Sequence, residues 1–237
     1  MFMRRRIRRR IDIKPLYCYS KTGERHREEN RENQDCVYSA ENDFAAFFAV
    51  ADGVSACKNS RSGAQLACEV CADILLEHTG YYFDSDEEKV KQILLDNIRS
   101  AISRKAGQER CEPEDYASTL SFLCFDKLHE RVMTFSLGDS RIYRMNGNGI
   151  DRINQTVSHG MNAVCSTTSR RAEKEAVLFR DSKRADDSFL LCTDGFWKAA
   201  EADSFPAEPG LFENGGALAA LLDRQTIRDD CSFLLAT

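Results

Sequence analysis

Short apolar runs and long amphipathic stretches share this chain. Phe44 to Val50, Ser118 to Phe125, Arg131 to Leu137, Ser188 to Thr193 and Cys231 to Ala236 are each too short for a helix and rich in apolar residues, the pattern of strands. Ile11 to Ser20 reads as a first strand, which Pro15 assigns to an edge or an irregular start. Residues 21–34 are almost wholly polar and read as a loop. Ala67, Val70, Cys71, Ile74, Leu75 and His78 recur at helical spacing, which predicts a helix with Ser60 or Ser62 as N-cap and His78 on its apolar face. A second helix is predicted from Asp86, acidic in its first turn, apolar at Val90, Ile93, Leu94, Ile98, Ala101 and Ile102, and ending near Lys105 and Gly107.

Asp126 to Glu130 joins two of the strands as a hairpin turn. Asn146-Gly-Asn-Gly149 joins Arg141–Met145 to Ile150–Ile153, with central residues that tolerate positive φ. Residues 154–187 are polar and weakly patterned apart from a strand at Ala176 to Arg180. Short helices are predicted over Phe196–Ala200 and Gly216–Arg224. These elements do not alternate as strand, helix, strand, helix. They predict an α+β fold in which antiparallel sheets are covered by helices.

The 237 residues suffice for one sizeable core, and 42% hydrophobic with 30% charged residues argues against wholesale disorder. A net charge of −5 excludes nucleic-acid binding driven by overall basicity. No run is long enough for a transmembrane segment, and the N-terminus lacks the apolar stretch of a secretory signal, so a cytoplasmic location is expected. The ten cysteines are then expected as reduced thiols, mostly acting as small hydrophobes. Six arginines between residues 4 and 10 form a basic arm (residues 1–14), read as solvated, ahead of a single domain over residues 15–237.

One chemical pattern recurs. Asp52-Gly53 follows an apolar run, Gly138-Asp139 follows a second, Asp194-Gly195 follows a third, and Asp229-Asp230 enters the last. An aspartate at a strand end is held rigidly at the sheet rim, and an adjacent glycine lets the backbone approach a ligand. Several such carboxylates at one rim would repel each other unless divalent cations neutralise them, and hard oxygen donors favour Mg2+ or Mn2+.

At these residues the chain resembles a known family. Asn33-Gln-Asp35, Val50-Ala-Asp-Gly53, Gly138-Asp-Ser-Arg141, Leu191-Cys-Thr-Asp-Gly-Phe-Trp197 and Asp229-Asp-Cys-Ser232 are similar, in order and spacing, to the motifs of type 2C metal-dependent serine/threonine protein phosphatases. Ser20-Lys-Thr-Gly-Glu-Arg-His26 is most similar to the bacterial-type branch. The resemblance covers about residues 17 to 237 and implies a central β-sandwich of two antiparallel sheets flanked by helices. It also implies two Mn2+ or Mg2+ ions per chain, with Asp52 bridging them, the Gly53 carbonyl on one, and Asp194 and Asp229 completing the other. Asp139 matches the position of a weaker third ion, and Asp35 would help hold the water that attacks phosphorus. Asp230 reads equally as a support for the site or as a structural residue, and Arg141 as a brace for the turn at Asp139. The implied partners are phosphorylated proteins and the serine/threonine kinase that makes them.

Two departures bear on the activity. The arginine that many relatives place five residues before the first-motif aspartate is Asn30 here, which leaves Arg31 and His26 as candidates for the substrate phosphate, with Arg25 and Arg27 nearby. Val54 stands where animal members have a histidine. Two alternatives therefore stand beside the protein phosphatase: a weak or inactive regulatory module of the same fold, and a phosphomonoesterase of small esters. Cys165 and Arg170 have the spacing of a cysteine phosphatase loop, but Ser-Thr-Thr-Ser between them lacks its glycines.

Overall fold

The computed structural model describes residues 13–154, 165–201 and 211–237. The Arg-rich segment, the start of the first predicted strand and His159 lie outside the described residues. The described strands form two antiparallel sheets of five. The first has the order β1 (Pro15–Lys21), β10 (Cys231–Ala236), β9 (Ser188–Cys192), β6 (Arg141–Asn146), β7 (Gly149–Arg152). The second has the order β2 (Cys36–Glu41), β3 (Ala45–Ala51), β4 (Leu120–Asp126), β5 (Arg131–Leu137), β8 (Val177–Ser182).

Three apolar clusters make this a four-layer body, the α+β sandwich expected from the sequence. Along β3 the side chains alternate between two of them. Ala45, Phe47, Ala49 and Ala51 face the long helices α2 (Ser60–Glu77) and α4 (Glu87–Glu109), while Ala46, Phe48 and Val50 face the other sheet. Burial of both faces is why this strand reads as a continuous apolar run rather than an alternating one. The third cluster packs Leu190, Cys192, Phe233 and Leu235 under α6 (Asp194–Glu201) and α7 (Gly215–Asp223). Ile13 is buried in the cluster between the sheets, and Lys14 exchanges backbone hydrogen bonds with Thr237, so both residues pack on the body.

Several local expectations are corrected. The polar loop contains a short helix, α1 (Glu24–Glu28), and is followed by the strand β2, which the sequence pattern did not reveal. Asn59 occupies the N-cap position of α2 without a side-chain bond to the helix, and Ser60 and Ser62 lie inside its first turn. His78 ends that helix with its side chain 62% exposed rather than in the core. A further short helix, α3 (Thr79–Asp84), follows it. Asp86 caps α4 by accepting from the Lys89 amide at 3.1 Å, as expected, but the helix runs past Gly107 to Arg110 in the left-handed region. In the β6–β7 turn the positive φ falls on Gly149 rather than on the central pair. Another short helix, α5 (Ala172–Glu175), lies within the weakly patterned region. All ten cysteines are free thiols.

Candidate metal centre

The ends of strands from both sheets meet at one rim. β3 delivers Asp52, whose amide donates to Thr119 Oγ1 at 2.9 Å and whose carbonyl accepts from the Thr119 amide at 2.8 Å. Gly53 packs tightly behind it: a Cβ there would lie 2.8 Å from the Gln34 carbonyl oxygen. β5 is followed by Gly138, whose φ of 103° turns the chain into Asp139. β9 leads through Thr193 to Asp194, the first residue of α6, and Asp229 stands just before β10.

Carboxylate oxygens of Asp52, Asp139 and Asp194 all lie within 4.8 Å of one another. Burial, followed by the charges of Asp35, Asp194, Asp139 and Asp229, holds the Asp52 carboxyl well above the usual carboxylate range. Burial and Asp194 push Asp139 up to about 6. Asp35 is buried behind the cluster and accepts from Thr193 Oγ1 at 2.8 Å. Burial pushes its pKa up to about 8 against the lowering effect of hydrogen bonds from Ser232 and Thr193. Asp229 stands beside this triad rather than within it. Its Oδ1 faces Arg25 Nη2 at 3.3 Å, and its charge is felt by Asp52, Asp139 and Asp194.

The donor set fits a hard divalent cation. Asp35 Oδ1, Asp139 Oδ1 and Asp194 Oδ1 are buried oxygens with no hydrogen-bond partner, a costly arrangement that a cation relieves. A family model described as protein phosphatase 2C matches residues 22–233. The chain belongs to the protein phosphatase 2C family.

Solved members share the fold. The catalytic domain of the serine/threonine protein phosphatase PstP, crystallised with two manganese ions, is 21% identical, with a TM-score of 0.62 over 94% of this chain and 97% of that one. Mycobacterium tuberculosis PstP/Ppp is 19% identical, with a TM-score of 0.62 over 94% and 97%. Stp1 from Staphylococcus aureus is 16% identical, with a TM-score of 0.64 over 96% and 94%. No curated protein sequence matches the chain.

Within this member of the family, the two sequence candidates for the substrate phosphate part company. His26 is buried, its Nδ1 2.8 Å from Asp230 Oδ2, and is turned away from solvent. Arg31 lines an open groove of about 500 Å³ with Gln34, Ser55 and Lys58, its guanidinium donating to the Ser55 carbonyl. Arg25 lies beside Asp229 and donates to Ser55 Oγ at 2.6 Å, a placement that only the short helix α1 decides.

Lys198 is the residue the sequence reading missed: its ammonium is ion-paired with Asp194 Oδ2. Desolvation opposes the charge, but Asp194, Asp139 and Asp229 together hold the Lys198 pKa above the usual lysine value. The signal was the spacing of four residues, meaningful once α6 is known to begin at Asp194. Arg141 braces Asp139 indirectly. It lies 3.6 Å over the Trp197 ring, and the Trp197 indole donates to the Asp139 carbonyl at 3.0 Å. Cys165 packs in the core with Ala172 and Leu178, and burial raises its pKa, so the spacing to Arg170 makes no phosphate loop.

Proposed function

We propose that this chain is a metal-dependent protein phosphatase that hydrolyses phosphoserine and phosphothreonine with two Mn2+ or Mg2+ ions. Asp52 would bridge the ions, the Gly53 carbonyl would contact one, and Asp194 and Asp229 would complete the other, with Asp139 at the edge where a third would sit. The observation that carries this reading is the convergence of the Asp52, Asp139 and Asp194 carboxylates at one rim, with a buried oxygen of Asp139 and of Asp194 left without a hydrogen-bond partner. Bound there, such cations supply a water activated near neutral pH and neutralise charge growing on the phosphoryl oxygens.

The chain's own groups do the rest. Asp35, foremost among the charged neighbours of Asp52, holds or releases a proton at Oδ1, the oxygen that Thr193 leaves free. Arg25 and Arg31 offer guanidinium groups to the substrate phosphate beside Asp229 and Ser55. No side chain is required as nucleophile. The partners are then phosphorylated proteins and their kinase, and ten free thiols fit a reducing, cytoplasmic setting.

A second reading, a weak or inactive module of the same fold, is favoured by the Lys198 ammonium on Asp194. One experiment separates them: Mn2+-dependent hydrolysis of an aryl phosphate and a phosphothreonine peptide by wild type and Asp194→Asn. Peptide turnover lost with chelator and lost in the variant is the expected result. No turnover with Mn2+ still bound favours the inactive module, and turnover of the aryl ester alone favours an esterase of small phosphates.

A further inference from the structure

Asp194 opens α6, and Lys198 projects from the same helix face one turn later. Its ammonium takes Oδ2 of Asp194, leaving Oδ1 of that residue, like Oδ1 of Asp139, buried and without a partner. The lysine is also steadied. Its Nζ lies 5.5 Å from the centroid of the Trp197 ring. That ring is fixed by its indole hydrogen bond to the Asp139 carbonyl and by the Arg141 guanidinium, itself ion-paired with Glu201.

An ammonium carries one charge and donates hydrogen bonds, so it offsets carboxylate repulsion without bridging carboxylates as a divalent ion does. We propose that Lys198 is a built-in counter-cation of the carboxylate cluster, filling the Asp139–Asp194 edge in place of a third divalent ion and limiting the centre to two. This rests on the metal-centre reading above. It sets the charge of Asp139 against the internal cation rather than against an exchangeable one.

The test is Mn2+ titration of wild type, Lys198→Met and Lys198→Asp, followed by calorimetry and by the electron paramagnetic resonance of free Mn2+. Methionine keeps the stem over Trp197 and removes the charge, while aspartate supplies a new oxygen donor. The lysine side chain is 52% exposed, so neither substitution opens the core. The expected result is two ions in wild type and one more in each variant, with that ion bound on the order of tenfold or more tightly than any further ion in wild type. Equal stoichiometry and affinity in all three proteins would overturn the proposal and leave the metal centre standing, and three ions in wild type would do the same. No Mn2+ bound by wild type would overturn the metal-centre reading and this proposal together.

Discussion

The ring of His26 and the carboxylate of Asp230 meet at 2.8 Å in a buried pair that spans 204 residues of sequence. Asp230 also accepts from the Gln34 amide at 2.6 Å and from the Gly23 amide at 2.8 Å. The aspartate thus pins the loop that carries Arg25, Arg31 and Asp35 to the head of β10.

Removing that carboxylate leaves buried donors without an acceptor. Asp230→Ala is expected to lower stability by about 3 kcal/mol, and Asp230→Asn, which keeps one acceptor oxygen, by less. Urea unfolding reads the difference; an alanine variant as stable as wild type would contradict this account.

The carboxylate cluster sets a pH dependence. In the metal-free protein Asp35 and Asp139 keep their protons up to about 8 and about 6, whereas the ordinary value is 3.8. Across that window the unfolded chain has released protons that the folded chain retains, so stability falls as pH rises from about 4 towards 8. Saturating Mn2+ supplies the missing positive charge and flattens the slope, and Asp139→Asn reduces it. Melting temperatures with chelator and with Mn2+ across this range are the measurement. Identical profiles would show that these carboxylates do not face a cation.

Arg25 is expected to matter more to substrate than to metal. Arg25→Ala should raise KM for a phosphothreonine peptide about tenfold or more, the value of a charge-assisted hydrogen bond, with kcat changed less. Arg31→Ala should do so more weakly, because Arg25 stands beside Asp229 at the carboxylates whereas the Arg31 guanidinium is bonded to the Ser55 carbonyl and Glu29. Steady-state kinetics at saturating Mn2+ decide, and an unchanged KM for Arg25→Ala would assign phosphate binding elsewhere.

Gly195 is required by close approach rather than by an unusual φ. A Cβ at this position would lie 2.1 Å from the Asp230 carbonyl oxygen. Gly195→Ala must therefore push α6 away from β10, at a cost of about 2–3 kcal/mol, and displace Asp194 enough to weaken Mn2+ binding about tenfold. Thermal unfolding and Mn2+ titration measure the two effects; a variant matching wild type in both would mean that the helix can shift freely.

How much could be read in advance follows from burial. β3, β4, β5, β9 and β10 are buried along nearly their whole length, so they announce themselves as apolar runs. The long helices α2 and α4 show their period because each lays one face on a sheet. β2 escaped notice because it is an edge strand with Ser39 and Glu41 exposed, and α1 because it buries only His26. His78 was misplaced because a helical period does not say where the helix ends.

For the site, sequence alone determined that aspartates stand at the ends of apolar strands, since chain neighbours are settled by covalent order. Only the tertiary structure decided which of them meet. Asp52, Asp139 and Asp194 come together through pairings between distant strands, whose register sets the direction of every side chain and would reverse it with a one-residue slip. The same packing turned Asp229 toward Arg25 and buried His26 against Asp230, contacts that no local pattern encodes, and it decided that the four-residue pair of Asp194 and Lys198 faces the other carboxylates.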